Sequence, residues 1–467
     1  MRLVEHLCSV MLWVAAILLM TNTIPHPAMA QPPDPALAEL EKIEVLDLAT
    51  AARIALVTNP SLEVAQARVM EASQIVKQAQ APYWPQVDAS ASVSRVDMAE
   101  NSFRTQQAIA QLFGSDLANP EDYYNAGLTA SWLVFDGFAR EFRLSAARYG
   151  EKASEAARQD ARRLLLSAVA FAYLQAQLSK ENVAIAIADE EFNQRLLTES
   201  RLRYDVGTGA LSDVLNFQIR GNSAHSRRIQ EETNYRRGLI SLSALLGVPQ
   251  GRFPEKLKLA DLTPTSEVEL AVPRPAEQVE TALRLRPDLQ QGDWSVRQAE
   301  ATVKVARAGY FPTVSLMGSY SGERPGDMDF EGDDFGNTVG VGLNWNIFSG
   351  GLTRARHGEA KARLYETEMF LADAKVQVAS QVQNITEQIG NAQTQLRLQE
   401  TNTQLMQQQR DLVEKEYKAG VGSLVRLNEA QRDLIVTQAQ LALARVALRF
   451  AWYDLQTATG QILETFK

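Results

Sequence analysis

Residues 81–94 read Ala81-Pro82-Tyr83-Trp84-Pro85-Gln86-Val87-Asp88-Ala89-Ser90-Ala91-Ser92-Val93-Ser94, and the plan returns as Ala308-Gly309-Tyr310-Phe311-Pro312-Thr313-Val314-Ser315-Leu316. Each time an aromatic pair and a proline close one segment, and alternation opens the next. Upstream, Asn59-Pro60-Ser61-Leu62 matches Arg286-Pro287-Asp288-Leu289; Pro60 to Pro85 is 25 positions, and so is Pro287 to Pro312. Downstream, Trp132 and Phe135 recur as Trp345 and Phe348. Tyr204, Gly207, Gly209 and Leu211 recur as Tyr417, Gly420, Gly422 and Leu424, and Gln218 and Gly247 recur as Gln431 and Gly460.

The early markers are offset by 227 and the later ones by 213, so the difference of 14 falls between Pro312 and Trp345. A length change confined there marks a surface loop, because loops tolerate insertions. A repeat this long is a duplicated half-protein, not a solenoid unit. The chain divides into a leader (1–30), an N-terminal segment (31–48), a first copy (49–249), a proline-richer crossover (250–275) and a second copy (276–467).

Past Pro85, Val87, Ala89, Ala91 and Val93 oppose Asp88, Ser90, Ser92 and Ser94. Past Pro312, Val314, Leu316, Gly318 and Tyr320 oppose Thr313, Ser315 and Ser319, with Met317 breaking the rule. Val339, Val341, Leu343, Trp345 and Ile347 alternate with Gly340, Gly342, Asn344 and Asn346; Leu128, Ala130, Trp132 and Val134 match them in the first copy. Period two means a sheet with one apolar and one polar face. A soluble sheet packed on a core fits that pattern equally well. Three features favour a membrane barrel: segments near the ~9–11 residues of a tilted membrane strand, the leader, and aromatics at the strand ends. Tyr83, Trp84, Trp132, Phe135, Tyr310, Phe311, Trp345 and Phe348 would form an interfacial girdle. Four strands cannot close a barrel, since closed ones start at about 8. An open edge in lipid strands N–H and C=O groups at several kcal/mol each. Several chains must then share one barrel, and three would supply twelve strands.

No proline occurs from Glu121 to Val248, or after Pro325. Each copy therefore offers a helix of roughly 65 residues, near Phe138 to Arg203 and near Gly351 to Lys418, or about 100 Å. Val378, Val382, Ile385, Ile389, Ala392 and Leu396 step by four and three, a coiled-coil seam. Gly207-Thr208-Gly209 and Gly420-Val421-Gly422 mark turns, each followed by a returning helix of about 40 residues. The fold expected is α+β: strands at one pole, helix turns at the other.

The leader has Arg2, an apolar stretch from Leu7 to Met20 and a small-residue site at Ala28-Met29-Ala30, giving Gln31 as mature terminus. An uncleaved anchor is the alternative. Cys8, the single cysteine, lies inside it, so the mature chain has no thiol chemistry. No other stretch reads as apolar enough for a membrane helix, so any membrane entry is by strands. A net charge of −9 argues against nucleic acid as a partner.

No catalytic, cofactor or metal constellation stands out. His225 and His357 lie on unrelated helical runs and read as exposed; Arg227-Arg228 and Arg236-Arg237 read as solvated helix faces. Asp327-Met328-Asp329-Phe330-Glu331-Gly332-Asp333 begins like a calcium loop, but Thr338 stands where a bidentate Glu belongs, so a solvated loop is preferred over weak divalent-ion bridging.

Taken in order, Asn59-Pro60-Ser61-Leu62, Trp132 to Gly137, Tyr204-Asp205-Val206-Gly207, Trp345 to Gly350 and Tyr417-Lys418-Ala419-Gly420 give a chain that resembles the TolC family of outer-membrane exit ducts. The resemblance implies a homotrimer with a twelve-stranded barrel and a twelve-helix periplasmic tunnel in a Gram-negative-type cell. It also implies an adaptor (membrane fusion) protein at the helix tips and an inner-membrane pump beyond it, with outer-membrane lipid around the barrel. Gly207, Gly209, Gly420 and Gly422 then lie at the tips, and Ser212, Asp213 and Tyr417 tie them shut. Gly422 stands where some members carry a gating arginine. Arg426 replaces the first acid of an entrance ring, while Glu429 keeps the second; Arg426 is expected to pair with Asp213 or Glu429. A plainer account has Ser212 or Asp213 capping the next helix and the glycines ending the previous one.

The function expected is a passive exit duct for small molecules or drugs. The duct of a type I protein-secretion system is the alternative in the same class. A periplasmic coiled-coil scaffold without a pore is the alternative in another, and a secreted enzyme stands third.

Overall fold

The computed structural model describes residues 35–466 except Ser115, Glu255, Pro264 and Glu267. The leader expectation, Cys8 included, lies outside the described residues.

A short equatorial helix α1 (Pro35–Leu40) leads to β1 (Val45–Leu46), α2 (Leu48–Thr58) and α3 (Pro60–Gln80). Asp47 caps α2 through the Thr50 N–H at 2.7 Å, and Asn59 caps α3 through the Ser61 N–H at 2.8 Å, with Pro60 opening the helix. β2 (Gln86–Val96), α4 (Glu100–Leu112) and β3 (Glu121–Phe135) come next, then α5 (Ala139–Asp205) and the returning α6 (Leu211–Leu245). The crossover carries β4 (Lys258–Leu259), parallel to β1. α7 (Pro275–Leu285), α8 (Pro287–Ala308), β5 (Thr313–Pro325), β6 (Phe335–Asn344), α9 (Leu352–Lys418), α10 (Leu424–Thr459) and a final turn α11 (Ile462–Thr465) complete the chain.

The main sheet is antiparallel in the order β2-β3-β5-β6. Near the sheet, α3 neighbours α5, α5 neighbours α8, and α8 neighbours α9. Each of these helices is joined end to end with the strand of the same rank, so the wall passes from strands to helices without a crossing. Farther away α6 replaces α3 and α10 replaces α8, giving α6-α5-α10-α9. α5 and α9 have 67 residues each, about 100 Å at 1.5 Å per residue, and span both halves. β2 and β6 are open edges within the chain.

Three apolar zones hold the rods together. An equatorial core gathers Leu46, Ala51, Val169, Tyr173, Leu242 and Leu259. The heptad seam Val378, Val382, Ile385, Ile389 and Leu396 is buried as expected, against Leu448 and Leu455 of α10, with Ala392 at its margin. Near the turns Phe192, Leu196, Phe217, Val413 and Leu427 form the third.

The structure corrects several expectations. β6 stops at Asn344, so Trp345 and Ile347 lie beyond it; β5 begins at Thr313, whose partner is Asn344, and no strand remains for Trp345 and Ile347 to pair with. The loop between β2 and β3 holds an unforeseen helix, α4. One later helix, α10, is long and apolar enough to cross a membrane. Its apolar side packs on neighbouring rods through Leu427, Leu434, Leu448 and Leu455, and Asn428, Gln431 and Thr437 are buried with them. His357 is half-buried, edge-on to the Tyr310 ring at 6.0 Å.

Candidate functional site

At the sheet's helix-side rim, the Trp132 indole N–H donates to the Tyr83 carbonyl at 3.1 Å, and the Trp345 indole N–H to the Tyr310 carbonyl at 3.2 Å. Each bond fixes the polar edge of an exposed ring. Trp84 and Phe348 are exposed at 76% and 87%, and Phe311 is also exposed. Strict alternation would put Phe135 on the polar face. A register shift between Leu133 and Phe135 seats it opposite Val314 instead, on the apolar side. Met317, out of pattern, lies over Gly340 and Gly342, which leave it room.

At the opposite pole the two turns share one geometry. Gly207 and Gly420 have φ of 77° and 76°, the left-handed conformation that ends a helix. A Cβ on Gly209 would come 2.9 Å from Arg203 Cβ, and one on Gly422 would come 2.8 Å from the Tyr417 nitrogen. All four positions therefore require glycine, two for φ and two for close approach.

Asp213 and Tyr417 are brought together: the phenol donates to Asp213 Oδ2 at 3.4 Å, and its ring meets fully buried Phe217 edge-on at 6.2 Å. Burial, then the Asp213 charge, holds the phenol's pKa above 10.0. Ser212 reaches only its neighbour, donating to Asp213 Oδ1 at 3.5 Å. Neither caps α6. The cap position belongs to Ala210, which offers no side-chain bond, whereas Ser423 caps α10 through the Arg426 N–H at 3.3 Å.

Arg426 pairs with neither Asp213 nor Glu429. Its guanidinium lies 3.5 Å from Glu416. The cap places Arg426 in the first turn of α10, facing the last turn of α9 across the tight loop, while Asp213 belongs to the other hairpin. Glu429 is exposed, with no ion pair among the described residues.

Two ties between the hairpins escaped the sequence reading: the Asn428 amide donates to Asn216 Oδ1 at 3.0 Å, and the Gln431 amide to Asp189 Oδ1 at 2.9 Å. The available signal was a buried polar pair, Asn428 and Gln431, in the apolar stripe Leu424, Leu427 and Leu434, the usual mark of a cross-helix contact.

The calcium-like loop closes on a cation of its own. Arg324 lies 2.6 Å from Asp327, 3.0 Å from Asp334 and 3.8 Å from Glu331. His225 bonds Glu190 at 2.8 Å, and Arg228 bonds Glu190 and Glu232, so this part of α6 is tied to α5. Among the described residues no three potential ligands cluster for a metal.

Residues 51–248 and 279–461 match the family model of the outer membrane efflux proteins. Among curated proteins, Protein CyaE of Bordetella pertussis is 27% identical over 92% of this chain and 86% of its own. The pyoverdine export outer membrane protein OpmQ of Pseudomonas aeruginosa is 27% identical over 85% and 82%. Among solved structures, the CmeC outer membrane channel of Campylobacter jejuni superposes with a TM-score of 0.75 at 18% identity, covering 90% of this chain and 85% of that one. A match in two segments covering most of the chain, on a wall that runs from strands into rods, leaves one conclusion: the chain belongs to the outer membrane efflux protein family and is an outer-membrane exit duct with its helices in the periplasm.

Proposed function

We propose that three copies close one twelve-stranded barrel that continues into a twelve-helix tunnel, with 49–249 and 276–467 as duplicated halves, and that the turn tips are the gate. What carries this reading is the shared order of strands β2-β3-β5-β6 and helices α3-α5-α8-α9, with both sheet edges open. In lipid an open edge costs several kcal/mol per unpaired group, so β6 of one copy pairs with β2 of the next. The aromatic girdle sits at the lipid boundary, apart from Phe311, which lines a cleft on the side of the polar strand face, and that face lines water.

The duct is passive: partners do the work. The tips, at Gly207, Gly209, Ser212, Asp213, Tyr417, Gly420, Gly422, Arg426 and Glu429, meet a periplasmic adaptor, which meets an inner-membrane pump. Small molecules are the proposed cargo, supported by the likeness to OpmQ, named for pyoverdine export. Reconstitution of the detergent-extracted protein in a planar bilayer tests the proposal. Discrete conductance steps from a trimeric species are expected; a water-soluble monomer that conducts nothing would sink it.

A further inference from the structure

A cleft of about 610 Å³ opens where β3, β5 and β6 hand over to α5, α8 and α9. Its strand lining, Leu133, Thr313 and Asn344, has the parity of the polar sheet face. In the barrel proposed above it therefore opens on the lumen, at the neck between tunnel and barrel. Arg143, Arg356 and Arg363 line it with only two acids, Asp136 and Glu359, in a chain whose net charge is −9.

The internal repeat explains the imbalance. Asp136 and Ser349 occupy matching positions, 213 apart, and so do Arg143 and Arg356. In the first copy the Asp136 carboxylate, 5% exposed, accepts the Arg140 backbone N–H at 2.9 Å and lies 3.6 Å from Arg143. In the second copy a serine stands in its place, and its hydroxyl meets that of Thr353 at 3.2 Å. Glu359 takes Arg363 at 2.7 Å. Arg356 is left without a hydrogen-bond or ion-pair partner among the described residues, beside an α9 start that no side chain caps. Asp136, which lines the cleft, also keeps a buried oxygen, Oδ1, that receives no donor. Val305 and Leu352 supply an apolar wall.

We propose that this cleft binds a small amphipathic carboxylate that also carries a hydroxyl or an amine. The carboxylate meets Arg356 and the uncapped α9 start. The hydroxyl or amine donates to the Asp136 carboxylate, and the alkyl part lies on Val305 and Leu352. A volume of this size suits a small organic molecule rather than a bare ion. Its place at the neck makes it a dwell point for cargo, a role that rests on the lumen reading above; the binding itself does not.

The probe is radiolabelled 3-hydroxyoctanoate, dialysed to equilibrium against the full protein in lipid nanodiscs. Lipid partition is common to all variants, so the difference between wild type and Arg356→Gln reads the site. At a probe concentration between the two dissociation constants, wild type is expected to hold about half a probe per chain more, the variant being weaker by about tenfold. Arg356→Lys keeps most of the binding. Ser349→Asp, which gives the second copy the carboxylate of the first, loses it with the fold intact. Octanoate, lacking the donor, binds less tightly, and octylammonium shows no difference between variants. Equal uptake by wild type and Arg356→Gln, or wild-type binding by Ser349→Asp, overturns the proposal. Conductance in planar bilayers separates the two readings: a channel without this binding ends the site and keeps the duct, whereas binding without conductance ends the duct and keeps the site.

Discussion

The Tyr417 hydroxyl donates to Asp213 Oδ2 at 3.4 Å, joining the end of α9 to the first turn of α6. The bond is long and half-buried, so its net worth is about 1 kcal/mol or less. Packing beneath it is worth more, because Phe217 is fully buried among Phe192, Leu196 and Leu427. Tyr417→Phe should therefore keep the fold and melting temperature while raising the spontaneous conductance of the reconstituted channel. Phe217→Ala should cost about 3–5 kcal/mol and loosen both turns. If Tyr417→Phe conducts like the wild type, the contact is structural and does not hold a gate.

Arg426 and Glu416 are 65% and 42% exposed, a pairing worth under about 1 kcal/mol and screened by salt. Its interest is the field at the turn tips proposed as the gate. Arg426→Glu leaves two like charges facing across the turn and is expected to shift the reversal potential toward cations. Adding Glu416→Arg should restore the starting value. Unchanged ion selectivity in both variants would remove Arg426 from the conduction path.

Much of this layout was legible because its signals are periodic and long. The seam from Val378 to Leu396, the glycine turns and the period-two strands each repeat one physical requirement many times. Relations across the chain were not legible. Which acid Arg426 faces depends on the rotation of α10, which Ser423 sets by capping it. The bonds Asn216–Asn428 and Asp189–Gln431 join residues more than two hundred positions apart, and nothing local to either names its partner. Alternation ran on through Trp345 and Ile347, but a strand ends where its neighbour ends, and β5 begins at Thr313. α4 has no counterpart in the second copy, so the repeat marks its place only as a change of length.

The two indole bonds at the rim predict a paired effect. Trp132→Phe and Trp345→Phe keep a ring at the rim but leave the Tyr83 and Tyr310 carbonyls without those donors. Each should cost about 1 kcal/mol, somewhat more where water cannot replace the donor. Trp132 lies on β3 and Trp345 just past the end of β6, with no shared partner, so the double variant should show the sum. Unfolding in detergent, followed by far-ultraviolet circular dichroism, reads the cost. Loss in only one variant would mean that the rim is not equivalent in the two copies.

Arg286 offers the sharpest pH test. Its guanidinium is 6% exposed and forks onto Asp288 at 3.0 and 2.7 Å, while also donating to Gln381 and to the Ala458 carbonyl at the end of α10. Burial alone would raise the Asp288 pKa, but Arg286, joined by Arg163 and the Leu289 N–H, holds the carboxyl below its ordinary 3.8. A carboxylate depressed in the folded state stabilises above its unfolded pKa, and the gain is lost as pH falls through the folded value. Arg286→Met leaves burial opposed only by Arg163 and the Leu289 N–H, so the Asp288 pKa moves up and its charge becomes a cost at neutral pH. Asp288 is a third exposed, so water can partly replace the lost partner, and the variant should lose about 1.5–3 kcal/mol at pH 7, the worth of a hydrogen bond to a charged group. That loss should shrink toward pH 4, where protonation relieves the variant first. Arg286→Met with Asp288→Leu should recover most of the loss and flatten the pH dependence. Thermal melts of the three proteins from pH 7 to 4 decide it: a constant gap between wild type and Arg286→Met would mean that the arginine acts through Gln381 and the α10 carbonyl, and not through Asp288.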